Sequence, residues 1–124
     1  MSANVLVVDD AETVRKSVSD LLLSAGFQVT EAVDGQDGVD KIKAGNFDCV
    51  ICDLHMPRKN GVELVSEVKR EQEYAALPIM MLTTEGSAEL AEQAREAGAI
   101  GWMVKPFKPV ILVDAVSSLT STAR

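Results

Sequence analysis

Asp9 and Asp10 stand together behind the apolar run Asn4-Val5-Leu6-Val7-Val8, and a third aspartate, Asp53, follows Cys49-Val50-Ile51-Cys52. Thr83 follows the apolar residues 79–82, and Lys105 follows residues 100–104. Three carboxylates brought together repel, and one of them holds a proton unless a cation sits among them. A hard divalent ion with oxygen ligands removes that conflict. Mg²⁺ suits such a set because it keeps waters and accepts a phosphoryl oxygen. Lys105 offers a mobile positive charge and Thr83 a hydroxyl. Each residue also has a plainer use. Adjacent aspartates after a strand start turns or cap helices, a lone aspartate can be solvated, and a lysine before proline can lie on the surface. Joint placement favours one common site, while composition and periodicity leave phosphoacceptor chemistry as one choice among several.

Other chemistries find less support. The turn Val8-Asp9-Asp10-Ala11 has carboxylates where a nucleotide-binding loop has glycines. His55 is the single histidine, so neither a Ser-His-Asp or Cys-His arrangement nor a zinc site has its residues. Cys49 and Cys52 have the spacing of a redox pair. Residues three apart on a strand point to opposite faces, too far apart to bridge, and both read as core thiols of a reducing compartment. A net charge of -7 disfavours a nonspecific nucleic-acid surface and favours a cation or a basic partner.

The elements that must position these residues follow from periodicity. The short segments 4–8, 28–32, 48–52, 79–82 and 100–104 read as strands. Between them lie helical patterns. The first spans residues 13–25, with Val14, Val18, Leu21, Leu22 and Ala25 on one face and Gly26 closing it. The second carries Val39 and Ile42 and ends at Gly45; the third starts near Val62 and carries Leu64, Val65 and Val68 before a solvated end at residues 69–73. Ser87 caps the fourth, which ends at Gly98, and Pro109 opens the last, which runs through Leu119 into a Ser/Thr tail expected to fray. Strands alternating with helices imply an α/β fold with a five-stranded parallel sheet covered on both sides. Ligands of such sheets bind beyond the carboxyl ends of the strands, where all five polar residues fall. The chain of 124 residues suits one domain with no separate output module. It lacks a secretory signal and an apolar stretch long enough to cross a bilayer.

The segments Val7-Val8-Asp9-Asp10, Asp53-Leu54-His55-Met56-Pro57 with Gly61, Leu82-Thr83-Thr84 and Lys105-Pro106-Phe107 occur in this order from Val5 to about Leu119. Together they resemble the receiver domains of two-component response regulators, and among these the stand-alone chemotaxis type. The resemblance implies a doubly wound sheet of order 2-1-3-4-5. It implies that Asp53 is the phosphorylated nucleophile and that Asp9, Asp10 and the main-chain carbonyl of His55 hold Mg²⁺ with it. It implies that Thr83 and Lys105 bind phosphoryl oxygens and that the Lys105-Pro106 bond is cis.

Three positions near the site vary among such domains. The His55 side chain is expected in solvent, with influence on phosphate lifetime. Glu85 is placed to meet Lys105 or to repel incoming phosphate. Trp102 stands where the family commonly has Tyr or Phe, a ring that swings inward as Thr83 moves. A moving indole and one packed statically over the last helix both stay open. The implied partners are a sensor histidine kinase and a downstream protein target. The output face is made by the fourth helix, fifth strand and last helix and includes Ala88, Ala91, Arg95, Trp102 and Lys108. The expected setting is a cytoplasmic monomer with no direct DNA binding and no membrane insertion, acting in chemotaxis or motility. Alternatives are a phosphorelay intermediate serving a histidine phosphotransfer protein, a relic scaffold, which the intact residue set opposes, and a small-molecule phosphatase, which lacks a cap domain.

Overall fold

The computed structural model describes residues 2–84 and 86–122. Strands β1 (Asn4–Val8), β2 (Gln28–Ala32), β3 (Cys49–Cys52), β4 (Ile79–Thr83) and β5 (Gly101–Val104) alternate with helices α1 (Glu12–Ser24), α2 (Gly35–Ala44), α3 (Gly61–Lys69), α4 (Ala88–Ala97) and α5 (Pro109–Thr122). All strand pairs are parallel, in the order β2-β1-β3-β4-β5. Both the fold class and the order match what the sequence and its resemblance implied.

The strands alternate their side chains between two apolar layers. Leu6, Val8, Val50, Cys52, Ile79 and Met81 meet residues of α2, α3 and α4 on one side. Val5, Val7, Cys49, Ile51, Met80 and Leu82 meet α1 and α5 on the other. Cys49 and Cys52 are free and buried on opposite faces of β3. Burial pushes the Cys49 thiol up to about 12 and Cys52 higher still, so neither is a thiolate near neutrality.

Local signals start and stop the helices where expected. The Asp34 carboxylate accepts from Asp37 N at the start of α2, and Asn60 with Glu63 forms a capping box on α3. The Ser87 hydroxyl accepts from Leu90 N on α4, and Gly98 ends that helix with φ 122°.

Two expectations fail. The end of α3 is not simply solvated. Lys69 folds back, and its ammonium donates to the carbonyls of Tyr74, Ala75 and Leu77, across a 3₁₀ turn at Gln72–Tyr74. Partial burial lowers the Lys69 pKa. The Ser/Thr tail, expected to fray after Leu119, stays helical as far as Thr122, and its last two residues lie outside the described residues. Thr120 is buried, and its hydroxyl donates to the carbonyls of Val116 and Ser117. A threonine that satisfies its hydroxyl on the preceding turn can sit inside, which composition alone conceals.

Candidate functional site

Strand register assembles the site. Val8 pairs with Cys52 across β1 and β3, so the next residues, Asp9 and Asp53, emerge side by side. Asp53 N donates to Val8 O at 2.9 Å, and Asp9 N to Ala32 O at 3.2 Å, continuing both ladders. Thr83 pairs with Val104 across β4 and β5, and Lys105 N donates to Thr83 O at 2.8 Å. Four polar residues from four strand ends thus share one edge, where the alternating pattern placed them.

The Asp9 and Asp53 carboxylates are locally fixed. Asp9 is buried; Oδ1 accepts from Ala11 N at 2.9 Å, and Oδ2 accepts from Lys105 Nζ at 3.0 Å. Asp53 Oδ1 accepts from Leu54 N at 2.7 Å, while Oδ2 lies 3.6 Å from Lys105 Nζ. Asp10 is exposed at the mouth of the cluster. Gly61 closes on the loop after β3 so tightly that an added Cβ would stand 2.4 Å from Asp53 O.

Asp9, Asp10 and Asp53 each offer a carboxylate oxygen within 4.8 Å of the others. Three carboxylates and one ammonium leave two negative charges uncompensated. A divalent cation balances that excess, and hard oxygen donors with one open side fit Mg²⁺. The residues present therefore suit the ion that the resemblance implies.

The remaining expected residues fall around this cluster. Thr83 is wholly buried at the end of β4. His55 is exposed on the β3–α3 connection. The Lys105-Pro106 bond is cis. Glu85 lies outside the described residues. Trp102 is partly buried and packs with the layer holding α3 and α4, not with the layer of α5. It borders a groove of about 350 Å³ with Ala88, Ala91, Arg95 and Ile100.

Sequence reasoning missed two arginines. Arg15 donates from Nε to Glu31 Oε1 at 2.8 Å and from Nη1 to Asp9 O at 2.9 Å. Arg58 donates from Nε and Nη2 to the two oxygens of Asp34, at 2.7 and 3.0 Å. The signal for the first was a charged residue, Glu31, inside a segment read as a strand. The second had no signal beyond its place in the loop after Asp53.

The response regulator receiver domain family matches residues 5–117. The Vibrio cholerae chemotaxis protein CheY-3 is 36% identical over 116 residues, covering 93% of this chain and 89% of that protein. Chemotaxis protein CheY of Pseudomonas aeruginosa is 34% identical, covering 93% and 94%. The solved structure of Vibrio cholerae CheY4 superposes with a TM-score of 0.90 at 39% identity, covering 96% of this chain and 99% of that one. Fold, residue order and relatives agree: the chain belongs to the response regulator receiver domain family and is closely related to chemotaxis regulators of the CheY type.

Proposed function

We propose that this protein is a phosphorylation-dependent signalling switch whose phosphoacceptor is Asp53. The observation that carries this reading is Lys105 Nζ set between Asp9 and Asp53 inside a three-carboxylate cluster. A lysine alone would neutralise only one charge. The remaining pair of negative charges calls for a cation, and Asp53, held by one backbone amide, keeps a second oxygen for attack.

In this reading an Asp53 oxygen attacks the phosphorus of a phosphohistidine on a sensor kinase. The phosphorus–nitrogen bond breaks, its electron pair stays on the imidazole, and an aspartyl phosphate forms. Asp9, Asp10, Asp53 and the His55 carbonyl would hold Mg²⁺, which when bound would supply charge neutralisation to the transferring group. Lys105 moves from its carboxylate partners to a phosphoryl oxygen, and Thr83 donates its hydroxyl to another. Because a carboxylate is a weak nucleophile, positioning supplies much of the rate. Water later attacks the phosphorus, the bond to the Asp53 oxygen breaks with its electron pair returning to the carboxylate, and inorganic phosphate leaves.

The output is carried by a protein target on the face of α4, β5 and α5, where the groove beside Trp102 offers small and apolar residues. The relatives named as chemotaxis proteins support motility control as the pathway. A monomeric cytoplasmic chain is the simplest form for such a messenger.

Incubation with acetyl phosphate and Mg²⁺ followed by peptide mass analysis tests the assignment. One phosphoryl group is expected on Asp53 and none in Asp53→Asn. Label on a serine with Asp53 unmodified refutes it.

A further inference from the structure

Arg58 is the sole non-glycine with positive φ among the described residues, at 67°. Lys59 N donates to Pro57 O at 2.7 Å, closing a three-residue turn around it. Such a turn is strained for an L-residue and persists where surroundings hold it. The surroundings here are specific. Arg58 forms a forked pair with Asp34, a geometry that fixes direction as well as distance. Asp34 is itself buried and anchored, since Oδ1 also accepts from Asp37 N at 2.8 Å as the cap of α2. The neighbouring Gly35 abuts the same loop; a Cβ there would lie 1.9 Å from Lys59 O. On the other side, Lys59 pairs with Glu67 of α3. The connection from Asp53 to Asn60 is thus clamped between α2 and α3.

We propose that Arg58 is a positioning residue for the metal site. Its forked pair with Asp34 holds the β3–α3 connection so that the main-chain oxygen of His55 is presented to a divalent cation at Asp9, Asp10 and Asp53. The inference rests on reading that cluster as an Mg²⁺ site. Mg²⁺ demands near-octahedral geometry and tolerates little displacement of a ligand. The Arg58 side chain is 59% exposed, so the pair adds little to global stability. Its role therefore separates cleanly from a merely structural one.

Charge alone predicts the opposite sign. A guanidinium near a cation site repels the cation, so removing it would tighten binding. Positioning predicts weaker binding on the same substitution. Arg58→Asn makes the comparison, because asparagine tolerates positive φ while losing the fork. Arg58→Lys keeps the charge and loses the planar fork. Asp34→Asn keeps a competent helix cap and loses the carboxylate.

Calorimetric titration with Mg²⁺, without phosphodonor, supplies the test. Arg58→Asn and Asp34→Asn should each bind about three- to tenfold more weakly, between the cost of an exposed pair and that of a partner supporting a metal ligand. The double variant should be no weaker than the singles, and Arg58→Lys should fall between them and the wild type. Amides of residues 54–60 should exchange faster in Arg58→Asn, while its metal-free melting temperature changes little. Equal or tighter Mg²⁺ binding by Arg58→Asn overturns the proposal. If Arg58→Asn fails to fold, Arg58→Lys decides, since it keeps the charge and loses only the fork; equal or tighter Mg²⁺ binding by it overturns the proposal. A wild type that binds no Mg²⁺ overturns the metal reading itself, and the proposal with it.

Discussion

Lys105 faces two carboxylates at once, and Asp34 faces a guanidinium and a helix N-terminus. Both cases show polar side chains fixed by partners that are distant in sequence. For Asp34 the energetic consequence has a definite sign. The Arg58 hydrogen bonds, followed by the Asp37 amide, hold its carboxyl below the usual value. A depressed folded-state pKa gives stability that is present above the unfolded value, about 3.9, and is lost as pH falls through the folded one. Because solvent screens the exposed Arg58, Asp34→Asn should be only slightly less stable than the wild type at pH 7, with a difference that shrinks toward pH 2. Urea denaturation at several pH values measures this. A difference that stays constant to pH 2 would show that the ionised carboxylate is not its source.

At the scale of elements, the strand ends carry the polar residues and the connections hold them. The α3–β4 connection depends on one side chain, since Lys69 binds three carbonyls there. Hydrogen bonds to a charged group contribute more than neutral ones, so Lys69→Ala should cost about 2 kcal/mol. The urea midpoint should fall without a change in slope. A loss within experimental error would mean that water replaces the ammonium without penalty. β5 raises a different question, because Trp102 lies on the α4 side and borders the groove. If phosphorylation draws Thr83 toward the phosphoryl group, the indole environment should change with it. Tryptophan emission is expected to differ between Mg²⁺ alone and Mg²⁺ with beryllofluoride, and Thr83→Ala should reduce that difference. Unchanged emission and quencher access in a fully modified protein would assign the output change to helix or loop shifts instead.

For the whole molecule, the acidic excess includes three carboxylates set together at one edge of the sheet. The net charge is -7, and three carboxylates share that edge. Their repulsion destabilises the folded state until a cation binds, and a ligand of the folded state stabilises it by mass action, about 2.7 kcal/mol at one hundred times Kd. Mg²⁺ should raise the melting temperature of the wild type. Asp10→Asn should lose most of that rise while melting no lower than the wild type without metal. Equal Mg²⁺ responses in the two proteins would remove Asp10 from the site.

The sequence by itself determined the alternation of strands and helices, the two-faced burial of β3, and the placement of Asp9, Asp53, Thr83 and Lys105 at strand ends. Period-two and period-3.6 patterns fix which face a residue takes, and parallel topology then brings the strand ends to one edge. Only the tertiary structure decided which partners distant polar side chains find. Arg15 finds Glu31, Arg58 finds Asp34, and Lys69 finds the carbonyls of the next connection. These partners depend on how crossovers set one loop against another, and no local pattern encodes that distance. The same holds for Thr120, whose composition signalled a frayed end but whose hydroxyl bonds back along α5 and allows burial. Trp102 was placed on β5 by its run of neighbours, yet its choice of the α4 side follows from the pleat and pairing of β5 with β4.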